Sequence, residues 1–216
     1  MVALRTDASA QARSAPPNPM LGPALATLAE CITLPARIAD LGCGKLRHFG
    51  HLAEVASHLY LVDTEQQLNR AHVDKGEPYV IRDWAKEQAR RLKIAVTVST
   101  DREFNRSRLE LDAVACIAVF DVVPPTVRRA ITKAAIQNLR RGGTLILVIP
   151  RNDVTITRRC EVRYADGFVF EHHGLRTFYR NFGAYAPLLQ SLARKGLQVL
   201  ADLSKHKQIC LVLKKQ

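Results

Sequence analysis

The sequence predicts an α/β fold: a doubly wound, mostly parallel sheet of seven strands closed by an antiparallel hairpin. Three observations predict it. Short apolar runs alternate with stretches of helical periodicity along most of the chain. The first run ends in Asp40-Leu41-Gly42-Cys43-Gly44, a turn leading from a strand toward a helix. The last two runs are separated only by Ser204–Lys207, too short for a crossover helix, so they must pair antiparallel.

The elements follow in order. Leu21, Ala24, Leu25, Leu28 and Ile32 recur at helical spacing, which places a helix over Met20–Ile32. Strands are read at Ala36–Asp40, Leu59–Val62, Ile94–Val98, Asp112–Cys116 and Thr144–Ile149. Helices lie between them at Phe49–Ala56, Thr64–Ala71, Asp83–Leu92 and Pro125–Leu139, the last opened by Pro124 and Pro125, since proline suits a first turn. A helix at Tyr185–Lys195 precedes the closing strands Leu197–Leu203 and Gln208–Leu213. Residues 1–19, ending in a proline-rich stretch, read as an extended N-terminal arm, and 20–216 as a single domain with an insertion at 151–185. There is no internal repeat.

Composition bounds the function. A chain of 216 residues with 47% hydrophobic and 24% charged residues can bury one core and is far from disordered composition. Lysine and arginine total 32 against 20 acids, a formal net charge of +12 that favours anionic partners. The five cysteines form no CxxC pair and have no histidine cluster at ligand spacing, so neither a disulfide framework nor a metal site is expected. No run approaches the about 18 apolar residues a membrane span needs, and no signal-like apolar segment opens the chain. A cytoplasmic, membrane-free setting is expected.

The turn after the first strand carries the chemistry. Gly42 and Gly44 permit a tight turn and the close approach of a ligand to the backbone. Asp63 lies nineteen residues after Gly44, at the end of the second strand, where a carboxylate can accept both hydroxyls of a ribose. Together they describe an adenosine site.

These residues resemble the first motif of the class I S-adenosylmethionine-dependent methyltransferases, a hydrophobic strand followed by D-L-G-C-G. The resemblance runs from about Ala36 to Leu213. Leu59–Asp63 is similar to the family's second motif and Leu111–Val123 to its fourth. Leu139–Ile149, with Arg141, Gly142 and Gly143, is similar to the turn and fifth strand. It implies a Rossmann-like sheet in the order 3-2-1-4-5-7-6, strand seven antiparallel and helices on both faces, with S-adenosyl-L-methionine as cofactor. Carried over residue by residue, it implies Asp40, Gly42, Cys43 and Gly44 around the methionine part and Asp63 on the ribose. Asp101 would hold the adenine amino group, and Cys116 and Ile117 would end the fourth strand beside the sulfonium. Thr64 and Glu65 edge the adenine or simply start a helix.

The sequence departs from the family at Leu46, where a third glycine is common, and this questions cofactor affinity. A nicotinamide site fits less well, because GxGxxG would require glycine at Arg47. Methyl transfer is an in-line displacement that needs positioning and, for a protonated acceptor, a base. Val123-Pro124-Pro125-Thr126 lacks both the asparagine or aspartate and the aromatic residue of amino-group DNA methyltransferases, and no Pro-Cys nucleophile follows the fourth strand. Asp121, at the mouth of the acceptor site, is the base candidate; its other reading is a surface carboxylate at a helix start.

The insertion interleaves Arg151, Arg158, Arg159, Arg163, Arg176 and Arg180 with Tyr164, Phe168, Phe170, Phe178, Tyr179, Phe182 and Tyr185. Arginines grip phosphates and aromatics stack on bases, which makes Arg158, Arg159, Arg163, Phe178 and Tyr179 candidate substrate contacts. A small lid core with outward arginines remains the alternative. His172 and His173 line a pocket or face solvent. Three functions stay open: methyl transfer to nucleic acid, methyl transfer to a small molecule, or a binding protein of the same fold that has lost catalysis.

Overall fold

The computed structural model describes residues 18–74, 77–150, 162–164, 167–172, 175–179, 186–205 and 207–216, with backbone pairing alone for 162–179. Helix α1 (Leu21–Cys31) precedes β1 (Ala36–Leu41), α2 (Phe49–Val55) and β2 (Ala56–Asp63). There follow α3 (Glu65–Asn69), a hairpin of β3 (Ala71–Asp74) and β4 (Glu77–Val80), α4 (Ile81–Leu92) and β5 (Ala95–Thr100). Next come α5 (Asp101–Arg106), β6 (Leu111–Ile117), α6 (Pro125–Asn138) and β7 (Leu139–Pro150). The strands β8 (Val162–Tyr164), β9 (Gly167–His172) and β10 (Leu175–Tyr179) precede α7 (Ala186–Ala193), β11 (Leu197–Asp202) and β12 (Gln208–Lys215).

The main sheet runs β5-β2-β1-β6-β7-β12-β11. Counting only the strands of this sheet, the order is 3-2-1-4-5-7-6, as expected; five further strands in two small sheets shift the labels. β12 is antiparallel to both β7 and β11, while β1, β2, β5, β6 and β7 are parallel. The central strands are buried on both faces and therefore read as unbroken apolar runs, Ala113–Ile117, Leu145–Ile149 and Ile209–Leu213.

Alternation along the strands feeds two cores. On one face Ile38, Leu59, Leu61, Ala115, Ile146 and Val212 pack with Leu21 and Leu28 of α1, Leu52 of α2 and Ile81 of α4. On the other, Leu41, Val62, Val114, Leu147 and Leu211 pack with Phe104 of α5, Ala134 and Ala135 of α6 and Leu192 of α7. Helices thus cover both faces, and the carboxyl ends of the parallel strands meet at one pole.

Three local expectations are corrected. The third helix ends at Asn69, and Ala71 already belongs to the β3–β4 hairpin that fills the stretch before α4. Helix α4 starts at Ile81 rather than Asp83. Helix α5 was not expected; a capping box opens it, the Thr100 hydroxyl accepting from Glu103 N and the Glu103 carboxylate accepting from Thr100 N.

The insertion contains a three-stranded antiparallel sheet, β10-β9-β8. Its register aligns Arg163 with Phe168 and Phe168 with Tyr179, so these three share one face; Val162, Val169 and Phe178 share the other. The arm up to residue 17 and Arg151, Arg158, Arg159, Cys160, His173, Arg180, Phe182 and Tyr185 lie outside the described residues.

Candidate functional site

The site assembles where β1, β2 and β6 end. As the chain leaves β1, Gly42 N and Cys43 N both donate to Val62 O, at 2.8 and 3.1 Å, and tie the turn to the end of β2. Gly42 has φ of 76°, and a Cβ there would stand 2.4 Å from Val119 Cγ2, so the residue must be glycine on both counts. Gly44 N donates to Asp63 Oδ2 at 2.8 Å and Thr64 N to Asp63 Oδ1 at 2.7 Å. Asp63, half-buried, therefore fixes the loop. The chain then makes further turns, and α2 begins only at Phe49, five residues past Gly44.

Leu46 occupies the position where the resembling family carries glycine, and it takes the backbone conformation glycine would supply, with φ of 61°. A left-handed leucine costs roughly 1–2 kcal/mol. Its side chain is buried in the core with Phe49 and Leu52, and that packing offsets the strain. The substitution leaves the turn intact and sends the extra atoms into the core.

Asp40, at the end of β1, is 1% exposed, and its Oδ2 has no hydrogen-bond partner. Burial raises its carboxyl to about 7, and the neighbouring Asp63 adds to the shift. Burial also raises Asp63, against the lowering effect of the bonds from Gly44 and Thr64; Asp101 pushes it further up. Asp101, the first residue of α5, is exposed beside Asp63, since β5 pairs with β2 and Thr100 lies opposite Asp63.

Cys116 and Ile117 end β6, but they face opposite cores, Cys116 with Leu41 and Ile117 with Ile38. The Cys43 and Cys116 thiols are both buried and pushed far up, burial acting first and the surrounding carboxylates next. Neither is a thiolate nucleophile. The charges of Asp40 and Asp121 add to the shift of Cys116, and β1 pairs with β6 so that Leu41 lies opposite Cys116.

Asp121 is not a surface carboxylate. It follows Ala118, held at φ of 55°, in a turn before α6 and is 5% exposed. Its Oδ1 has no hydrogen-bond partner, and burial raises its carboxyl to about 6 against the opposing pull of the Asp121 backbone N–H and of Arg128. Arg128, buried on α6, was not picked out in the sequence, because nothing local links it to Asp121. His48, also missed, is buried just before α2, and burial, Arg47 and His51 lower its imidazole to about 4, so it is neutral. For Arg163, Phe178 and Tyr179 the strand pairing is described and nothing beyond it.

Neither a family model nor a curated protein matches the sequence. Solved structures do match the fold. A methyltransferase from Methanosarcina mazei, S-adenosylmethionine-dependent, superposes with a TM-score of 0.65 at 15% identity, covering 93% of this chain and 98% of that one. The Burkholderia thailandensis 1,6-didemethyltoxoflavin N1-methyltransferase, bound to 1,6-didemethyltoxoflavin and S-adenosylhomocysteine, gives 0.62 at 16% identity, covering 92% and 79%. A glycopeptide N-methyltransferase with S-adenosylhomocysteine gives 0.60 at 12% identity, covering 90% and 89%. With this topology and this loop, the chain has the fold of the S-adenosylmethionine-dependent methyltransferases.

Proposed function

We propose that this chain transfers a methyl group from S-adenosylmethionine to a nitrogen or oxygen of a planar heterocyclic acceptor. The observation that carries the methyl-transfer reading is the buried, unpartnered Asp40 oxygen beside a glycine loop held by Asp63. A buried carboxylate without a partner is costly and calls for a donor or a cation. The cofactor fits that need: its methionine end is cationic at nitrogen and at sulfur, its ribose offers two hydroxyls to Asp63, and its adenine offers an amino group to Asp101. When bound, it supplies a methyl group on a positively charged sulfur.

The chain's own residues do the rest. Gly42 supplies the left-handed turn, packed against Val119, that leads the loop past the strand ends, and the buried Cys43 and Cys116 keep those ends apolar. Asp121 accepts the proton that an N–H or O–H acceptor releases as it attacks. Its carboxyl near 6 makes it a carboxylate above neutral pH, and Arg128 stabilises that ionised form. Activity should therefore fall as pH drops through about 6.

The acceptor class rests on the insertion, which leaves the carboxyl end of β7 at Pro150, the pole that holds the loop. The register places Arg163, Phe168 and Tyr179 on one face of that sheet, residue types that stack on rings and attract anions. Such a face suits a flat ring, which can be a base in nucleic acid, favoured by the +12 charge, or a free heterocycle. The B. thailandensis enzyme with its bound 1,6-didemethyltoxoflavin supports the second source.

Calorimetric titration with S-adenosylhomocysteine should show saturable binding, and its absence would leave a binding protein of this fold. Tritium transfer from labelled cofactor into fractionated extract separates the sources: label in nucleic acid, or label in small metabolites. Asp121→Asn should lower kcat about 100-fold or more, the range for removing a general base, while cofactor affinity stays the same. Equal kcat in the variant would remove Asp121 from the chemistry.

A further inference from the structure

We propose that the opposite pole of the sheet, where the parallel strands begin, binds the phosphate backbone of a nucleic-acid duplex. The proposal goes beyond methyl transfer and does not depend on the acceptor. Cations recur at the adjacent strand ends of one half of the sheet. Arg108 precedes β6, Arg141 stands near the start of β7, Lys214 near the end of antiparallel β12, and Lys195 just before β11. All four are exposed, and none has an ion pair among the described residues. Since β6, β7, β12 and β11 are consecutive neighbours, these charges spread over three strand spacings, about 14 Å. Four phosphates along one strand of a duplex cover about 10 Å of axis, three steps of about 3.4 Å, so the row is of the length of a short stretch of backbone.

The turn at Gly142, with φ of 76°, follows Arg141 and lies beside Lys214: a Cβ there would lie 3.8 Å from both Arg140 Nη1 and Lys214 Cε. Arg140 is neutralised by Asp112 at 2.6 Å, but Arg141 and Lys214 beside it are not. Basic residues at helix ends often only complement the helix dipole. That accounts for Lys215, which donates to Ile136 O at 2.7 Å and to Leu139 O at the end of α6. It does not account for Arg141 and Lys214, which lie on strands and cap nothing. Among the described residues the exposed acids on this half include Glu110 and Glu30, the latter near the end of α1, which packs on β7 and β12, and the four cations outnumber these two. Four unpaired cations in an exposed row, maintained against mutual repulsion, are complementary to a row of phosphates.

The test uses the full chain and a labelled 20-base-pair duplex, with affinity followed by fluorescence anisotropy at several KCl concentrations and no cofactor present. Wild type should bind, with an affinity that falls steeply with salt. The triple variant Arg108→Ala, Arg141→Ala, Lys214→Ala should lower the slope of log affinity against log salt by about 2.7, or 0.9 per lost phosphate contact. S-adenosylhomocysteine affinity and melting temperature should match wild type, which excludes misfolding. Lys205→Ala with Lys207→Ala, near the opposite pole, should leave the slope unchanged. An unchanged slope in the triple variant, or no wild-type binding at 50 mM KCl, overturns the proposal. So does polyglutamate of equal charge competing as well as unlabelled duplex, since that marks a surface for acidic protein. Failure to methylate nucleic acid would affect only the acceptor reading, because no step of this test involves methyl transfer.

Discussion

Asp112 and Asp40 are both aspartates on central strands, at opposite ends of the same sheet, and they are treated in opposite ways. Asp112, where β6 begins, accepts from Arg37 N at 2.8 Å and pairs with Arg140 Nε, binding β1, β6 and β7 together. Asp40, where β1 ends, is more deeply buried, lacks a partner for Oδ2 and has its carboxyl raised to about 7. A carboxylate left without a partner, a few residues from a satisfied one on a neighbouring strand, is what the proposed ligand site rests on. The satisfied end ties three strands together; the unsatisfied end is where the proposed chemistry lies.

The largest expected effect tests the unsatisfied end at its turn. Gly42→Val places a branched side chain at φ of 76° and within 2.4 Å of Val119. S-adenosylhomocysteine binding should be lost in calorimetry, with a lower melting temperature. A variant that folds and binds normally would mean that the glycine turn does not touch the ligand.

Asp63→Ala comes next. It removes the acceptor for Gly44 N and Thr64 N together with the proposed ribose contact. Charge-assisted bonds of this kind are worth about 1.5–3 kcal/mol, so cofactor affinity should fall roughly ten- to a hundredfold. Wild-type affinity in the variant would exclude Asp63 from the site.

The paired variants Asp40→Asn and Asp112→Asn sharpen the contrast itself. Because burial raises Asp40 from 3.8 to about 7, the folded state holds this proton more tightly than the unfolded state does. The empty protein should therefore lose stability as pH rises from about 4 through about 7, by about 1.4 kcal/mol for each tenfold difference in proton affinity between the two states. Asp40→Asn removes that buried charge: melting at pH 8 should rise, the pH dependence should flatten, and cofactor affinity should fall about tenfold. Asp112→Asn should do the reverse, costing about 1 kcal/mol or less, as its ion pair is partly exposed, and leaving cofactor affinity unchanged. If both variants destabilise the protein and spare binding, the two ends do not differ in kind.

The sequence made the unsatisfied end legible because its constraints are local. A positive φ and a close approach demand glycine at Gly42, and strand length sets the distance from Gly44 to Asp63. The antiparallel pairing of the last two strands followed from their four-residue connection, and the strand order from the resemblance of the loop and strands to the methyltransferase family. Contacts made across the fold were hidden. The charge of Arg128 acts on Asp121 from another element, and the burial that separates Asp121 from a surface helix-start residue comes from packing. Leu46 looked like a missing glycine, and its side chain's destination is a tertiary fact. Helix α5 was readable, through Thr100 and Glu103 at capping-box spacing, but its six residues give too little periodicity to stand out. The β3–β4 hairpin has two four-residue strands, too short to outweigh the helical pattern around them.

The smallest expected effect concerns Asp101, the exposed acid of the ligand-facing end. Its proposed bond to the adenine amino group competes with water, so Asp101→Ala should cost about 0.5–1.5 kcal/mol, roughly two- to tenfold in affinity. A second consequence opposes the first. Asp101 is one of the charges that raise Asp63, so its removal makes Asp63 easier to ionise. At high pH only the lost adenine contact should register. As pH falls, the variant's Asp63, whose carboxyl is raised less, keeps its charge further than the wild type's does, which returns some of the affinity. The penalty measured by calorimetry with S-adenosylhomocysteine should therefore be smaller at pH 5 than at pH 8. A penalty that is the same at both values would show that Asp101 and Asp63 do not share a field, and a loss as large as that of Asp63→Ala would make Asp101 a principal anchor of the cofactor.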